Sequence, residues 1–135
     1  MVFAFVVSIL IYLDTNVIMD LFLYRNSSSD RLLAKALKCK YFIIISDFTV
    51  HELSRYRLLP ELMQFLTIYQ AAKKIKVCKI SDENKKEATL LLHKTHYADA
   101  LHKVVACHNG AKMIVTRNLK DFPFTDIVVI SPDTL

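Results

Sequence analysis

Five short apolar runs, at roughly Ser8–Leu13, Phe42–Ser46, Lys76–Ile80, Met113–Thr116 and Ile127–Ile130, constrain this chain more than any other feature. Most are rich in Ile and Val, and several lack the polar alternation of a strand with one wet face. A strand that is apolar throughout is buried on both faces, which is the situation of a parallel sheet covered by helices. Helical stretches fill the gaps. Asn16 is placed to cap a short helix carrying Val17, Ile18, Leu21 and Phe22. The loop RNSSSD (25–30) ends in a cap for a helix over Arg31–Lys38, where Leu33, Ala36 and Leu37 recur at helical spacing. Further helices are expected over Phe48–Arg57, over Glu61–Lys73 behind Pro60, over Asp82–Lys94 behind Ser81, and over Ala98–His108, which stops at Asn109–Gly110. Strand and helix alternate almost throughout. The expected fold is therefore α/β: one three-layer α/β/α sandwich over residues 1–135, with a central, mostly parallel five-stranded sheet and right-handed crossovers.

Composition narrows the chemistry. There is one glycine, Gly110, among 135 residues, so the Gly-rich loops that cradle nucleotide phosphates are excluded. The formal charge of +5 suits a polyanionic partner, although such an excess also serves solubility. Cys39, Cys78 and Cys107 are widely spaced and odd in number, which points to a reducing compartment, and buried packing is expected for all three. Met1–Leu13 is apolar but too short for a membrane span and lacks the basic start and small-residue cleavage site of a secretory signal. A cytoplasmic protein without a membrane anchor is expected. The first few residues are read as a strand extension or an interaction surface.

In sheets of this kind the binding crevice lies beyond the carboxyl ends of the strands. Polar residues interrupt the pattern at that edge. In IYLDTNVIMDLF (11–22), Asp14 follows the first strand directly. Glu52 lies in the first turns of the helix after the second strand, Asp99 at the start of the helix before the fourth, and TRNLKDF (116–122) follows the fourth with Asn118 and Asp121. Two carboxylates at ~4 Å repel by about 4 kcal/mol at an effective dielectric near 20, so a converging set must hold a proton or a cation. Oxygen-only donors favour Mg²⁺ or Mn²⁺ over zinc. Each acid also has a structural reading. Asp14 can bond the amides of the next turn, Thr49-x-x-Glu52 fits a capping box with Asp47 as the alternative ligand, Asp99 fits an ordinary first-turn acid, and Asp121 fits a turn cap. His93 and His96 form H-x-x-H and His102 stands three residues after Asp99. No complete zinc set is visible, so surface or interface roles are expected for these histidines.

Together, YLDTNVIMD, SDFTVHEL and YADALHKVVACHNGAKMIVTRNLKDF resemble the PIN-domain family, in particular its small VapC-like toxin ribonucleases. The resemblance spans nearly the whole chain, and its last segment is the most specific. It implies a metal-dependent endoribonuclease using Mg²⁺ or Mn²⁺, a protein antitoxin and a homodimer. Asp14, Glu52 and Asp99 match the three principal acids and Asp121 a fourth, all four as candidate catalytic and metal-binding residues. Asn16, Thr116 and Asn118 match polar positions beside them. Asn118 stands where some members place another acid, so a second ion would lean on the substrate for ligands. Arg117, Lys120, Lys103, Arg55 and Arg57 lie near the acids and are candidates to grip an RNA backbone. The apolar face around Leu58–Tyr69 is a candidate surface for either partner, with core packing as the default expectation. Two other readings remain open: a PIN-like RNA-binding or assembly module with little turnover, and a 5′-nuclease acting on DNA flaps.

Overall fold

The structure, a computed structural model, describes residues 8–25, 27–38 and 40–135. The apolar residues 1–7 and Cys39 lie outside this range. Strands β1 (Ile9–Leu13), β2 (Tyr41–Ser46), β3 (Ile75–Cys78), β4 (Met113–Val115) and β5 (Val128–Ile130) form one sheet in the order β3-β2-β1-β4-β5. Every pairing is parallel. Among the described residues six α-helices accompany them: α1 (Thr15–Phe22), α2 (Ser27–Leu37), α3 (Asp47–Arg55), α4 (Leu59–Ala71), α5 (Asp82–Thr89) and α6 (Tyr97–His108).

Alternate residues of each central strand feed opposite layers, as the period of two requires. Ile11, Leu13, Ile43, Ile45 and Val115 pack with Val17, Ile18, Leu32, Leu53, Leu62 and Phe65. Tyr12, Ile44 and Ile114 pack with Ala88, Ala100, Leu101, Val104 and Val105. Helices α1–α4 therefore cover one face and α5 and α6 the other. This two-sided burial is why the runs read as continuously apolar.

Several boundaries differ from the sequence reading. Asp14, not Asn16, caps α1, with its carboxylate accepting from the Thr15 amide. Helix α2 begins at Ser27 and absorbs the serines expected to form a loop. Ser28 is buried and donates to Asp133 near the C-terminus, so tertiary bonding replaces the local turn. Ser46 caps α3 by accepting from the Thr49 amide at 3.3 Å. That displaces the Thr49–Glu52 box and leaves the Glu52 carboxylate for other partners. Helix α5 has the expected Ser81 cap but ends at Thr89, and 90–95 form a turn in which the Lys94 amide bonds to the Leu91 carbonyl. Cys78 is buried as expected, whereas Cys107 is exposed on the outer side of α6. Of the face around Leu58–Tyr69, Leu58, Leu62, Phe65, Leu66 and Tyr69 are core, while Leu59, Met63 and Ile68 are exposed.

Four helices end in the same way. After α1, α3, α4 and α6 the chain makes a paired closing motif: Tyr24 to Leu21 and Arg25 to Asp20; Arg57 to Ser54 and Leu58 to Leu53; Lys73 to Gln70 and Lys74 to Tyr69; Gly110 to Cys107 and Ala111 to Ala106. The pivot residue is left-handed in each, with φ of 54°, 59°, 56° and 74° at Tyr24, Arg57, Lys73 and Gly110. Only the last is glycine, so three of the four stops carry strain that the sequence does not announce. Lys73 is exposed and remote from the sheet's carboxyl edge. Lys73→Gly is expected to stabilise the fold by about 0.5–1 kcal/mol in urea titration, since a left-handed side chain costs ~1 kcal/mol. An unchanged or lower midpoint would show the strain to be absent.

Among the described residues no helix is long and apolar enough to cross a membrane.

Candidate active site

The chain runs outward from β1 in both directions, to β2 and β3 on one side and to β4 and β5 on the other. A crevice opens where such a sheet reverses, beyond the strand ends. Asp14 leaves β1 there, and its amide bonds to the Val115 carbonyl at the end of β4. Its side chain is buried. Oδ1 accepts from the Thr15 amide at 2.8 Å, and Oδ2 accepts from Asn16 Nδ2 at 2.9 Å and Thr116 Oγ1 at 2.8 Å. Thr116 Oγ1 in turn accepts from the Asn118 amide at 3.1 Å, and Asn16 Oδ1 from the Arg117 amide at 3.3 Å. The residues around TRN thus clasp the Asp14 carboxylate. Burial pushes its pKa up, and the nearby His102 charge and the Thr116 hydroxyl offset only part of that.

Asp99, in the first turn of α6, shares a cavity of about 380 Å³ with Asp14 and Glu52. Thr15, Asn16, Met19, Arg25, Tyr56, Arg117 and Asn118 complete its lining. Burial and the charges of Asp14 and Asp121 push the Asp99 pKa up to about 6. The acids repel one another as their convergence requires.

Glu52 behaves differently. Its Oε1 accepts from Thr15 Oγ1 at 2.6 Å and from His102 Nε2 at 2.8 Å. Burial would raise its pKa, but the His102 hydrogen bond and charge, with Thr15, outweigh it and the pKa is lowered. His102 is 1% exposed and lies 3.7 Å from Asp14. Its Nδ1 is 2.6 Å from Tyr12 Oη, which lies 3.0 Å from Ser46 Oγ. Burial disfavours a charged imidazole, but Tyr12, Glu52 and Asp14 prevail and push the pKa up to about 10. A protonated ring donates from both nitrogens, to Tyr12 and to Glu52. The expectation of a surface or interface role for His102 is corrected: it is a buried cation among the acids. One signal was present, since His102 follows Asp99 by three positions and so shares its helix face. A tyrosine inside a buried strand likewise signals a buried polar partner. His93 and His96 are exposed, as expected.

The other candidates scatter. Asp121 lies in a 3-10 turn (Leu119–Asp121) beside Asp99, and its backbone carbonyl accepts from Thr95. Lys120 is exposed in that turn. Arg55 lines a smaller hollow with Glu52 and Tyr56, and Arg57 is exposed at the end of α3. Lys103 turns away, with Nζ 2.6 Å from Asp126 and 5.1 Å from the Phe124 ring centre.

Whether these donors suit a divalent cation is decided by their chemistry. Among the described residues no three His, Cys, Asp or Glu side chains lie close enough to enclose an ion. Glu52 is held by Thr15 and His102, which leaves Asp14 and Asp99. Mg²⁺ is commonly held by one or two carboxylates, with water and substrate phosphate completing the shell. Two repelling carboxylates in one open cavity, with no thiol among its lining, fit that pattern.

The carboxylate pocket lies at the switch point of the parallel sheet, where ligands bind in folds of this kind. The chain belongs to the PIN-domain family, whose model matches residues 11–120, and PIN domains are nucleases. No curated protein sequence matches it. Its fold is similar to a chain of VapBC2 from Rickettsia felis, solved bound to a DNA fragment from its promoter, at 19% identity and TM-score 0.68 over 91% of this chain and 98% of that one. It is also similar to FitAcB from Neisseria gonorrhoeae (21% identity, TM-score 0.68, 93% and 99% covered) and to a toxin–antitoxin complex from Klebsiella pneumoniae (21%, 0.65, 90% and 96%).

Proposed function

We propose that this protein is a metal-dependent endoribonuclease and the toxin of a toxin–antitoxin pair. The observation that carries the chemistry is the shared cavity of Asp14 and Asp99, two carboxylates with raised proton affinity at the carboxyl edge of the sheet. Asp14 and Asp99 would hold Mg²⁺ or Mn²⁺. When bound, such an ion lowers the pKa of water for in-line attack and neutralises charge on the phosphate.

The chain's own residues do the rest. Asn16 and Thr116 hold both the position and the rotamer of Asp14 by donating to Oδ2. Glu52, whose carboxylate is engaged by His102 and Thr15, would orient a water in the cavity in preference to binding the ion directly. Asp121 acts on Asp99 through its charge. Arg117 at the rim, with Arg55, Arg57 and Lys120 around the site, would attract the RNA backbone, whereas Lys103, paired to Asp126, is withdrawn from that role. The toxin role is supported by the family and by folds shared with proteins of toxin–antitoxin complexes. Exposed Leu59, Met63 and Ile68 offer an apolar surface for an antitoxin or a second copy of the chain in a cytoplasmic homodimer.

Single-turnover cleavage of a mixed RNA pool in Mn²⁺ tests the proposal. Asp14→Asn is expected to slow cleavage by at least about a hundredfold, the usual cost of losing one charge-stabilising group at a reacting phosphate or carbonyl. RNA binding without Mn²⁺-dependent cleavage in the parent protein would replace it with the binding-module reading, which the engagement of Glu52 by His102 favours. Cleavage of a flapped DNA but not of RNA would move the substrate class.

A further inference from the structure

The arginines at the cavity rim are held by a residue that no reading of the acids includes. Asp20 sits on α1, six residues after Asp14, and its side chain is 0% exposed. Its Oδ1 accepts from Arg117 Nη1 at 2.6 Å and lies 3.3 Å from Arg25 Nε. The two arginine side chains are 45% and 46% exposed and both line the cavity with Asp14 and Asp99.

The local geometry has a clear origin. In the closing motif of a helix, the residue three from the end meets the residue two past the cap, and this contact is ordinarily apolar. After α3 it joins two buried leucines, Leu53 and Leu58. After α1 the same two positions hold Asp20 and Arg25, and Tyr24 takes the left-handed pivot. Arg117 arrives from the loop after β4, almost a hundred residues on. As a stabilising device the arrangement is poor. Among the described residues Asp20 Oδ2 is buried with no hydrogen-bond partner, and both cations are half in water. Burying a carboxylate on those terms costs more than a pair of half-solvated ion pairs returns. What the arrangement does achieve is orientation. Arg25 is engaged through Nε and Arg117 through one Nη, so among the described residues each guanidinium keeps further N–H donors for a ligand at the cavity.

We propose that Asp20 is a positioning residue that holds Arg25 and Arg117 as a paired clamp for an RNA phosphate beside the acid cavity. This rests on the ribonuclease reading and extends it. The clamp grips the backbone, so it sets affinity and register of the strand over Asp14 and Asp99 without reading bases.

The test uses the full chain. RNA binding is measured in an Asp99→Asn background across a salt series, and KM and kcat are measured in the cleaving protein. Arg25→Ala and Arg117→Ala are each expected to weaken binding about tenfold, as for loss of a charged hydrogen bond. Each should also make the log–log salt slope shallower by about 0.7. Arg117→Lys keeps the charge and is expected to keep the slope while losing affinity. Asp20→Asn is the decisive variant. It removes a negative charge, so any nonspecific effect tightens RNA binding, whereas loss of positioning weakens it and raises KM more than it lowers kcat. Equal or tighter binding by Asp20→Asn overturns the clamp, as does unchanged binding by both arginine variants; if Asp20→Asn fails to fold, Arg117→Lys and the two alanine variants decide. Loss of affinity for a Glu-rich peptide but not for RNA would assign the arginines to a protein partner's carboxylates and overturn the clamp. A parent protein that neither binds nor cleaves RNA defeats the ribonuclease reading itself, a result distinct from all of these.

Discussion

Asp99→Asn is expected to abolish Mn²⁺-dependent cleavage and at the same time to make the protein more stable. The two effects have one cause. Burial and the charges of Asp14 and Asp121 raise the Asp99 pKa from 3.8 to about 6. A group whose folded pKa lies above its unfolded value favours folding only while protonated. Its contribution is complete below pH 4 and is lost as pH rises through 6. At pH 7–8 the ionised carboxylate therefore opposes folding. The shift would amount to about 3 kcal/mol at full effect, and partial exposure of Asp99 reduces the expected gain on neutralisation to about 1–2 kcal/mol. Calorimetric melts in chelator should show the Asn variant above the parent at pH 8 and level with it near pH 4. Mn²⁺ should raise the melting temperature of the parent, by binding the folded state alone, and leave the variant nearly unmoved. An Asn variant that melts below the parent at pH 8 without metal would mean that the acids do not repel and that the site has no charge for a cation to relieve.

Loss of His102 should act in the opposite sense and by more. His102→Gln removes the buried cation that faces Glu52 at 2.8 Å and Asp14 at 3.7 Å. It leaves two acids without the charge that makes their burial tolerable, and removing one partner of a buried pair costs about 3 kcal/mol or more. The pH dependence separates charge from packing. The His102 pKa is raised to about 10, so its stabilising contribution is complete below the free imidazole range near 6.5 and is lost between there and 10. The parent protein should lose stability over that alkaline window, in chemical denaturation followed by circular dichroism, while the Gln variant should not. Parallel curves for the two proteins from pH 6 to 10 would show that the ring is neutral in the fold.

Asp14 and Glu52 have different fates in one cavity. Asp14 is clasped by neutral donors and has its pKa raised, whereas Glu52 is paired to a cation and has its pKa lowered. Environment, rather than residue type, divides one acid whose burial is only partly offset from another already satisfied by the protein.

What the amino-acid order determined by itself was the layering and the edge. Runs such as YFIIIS are apolar at every position but the last, and only a strand covered on both faces accommodates them, so the parallel sheet and its flanking helices were legible before any coordinates. The position of Asp14 directly after such a run placed a carboxylate at the sheet's carboxyl edge, and the match of later segments to one family placed Glu52 and Asp99 beside it. Local signals failed where a partner distant in the chain outbid them. The serines before Arg31 were absorbed into α2, where Ser28 bonds Asp133, and Glu52 left the capping pattern at Thr49 for Thr15 and His102. Only the tertiary structure decided which charges meet. That His102 stands against Glu52, and that Asp20 gathers Arg25 and Arg117, depends on bringing together groups 50 and 97 positions apart, and Coulomb energy depends on distance in space rather than in sequence.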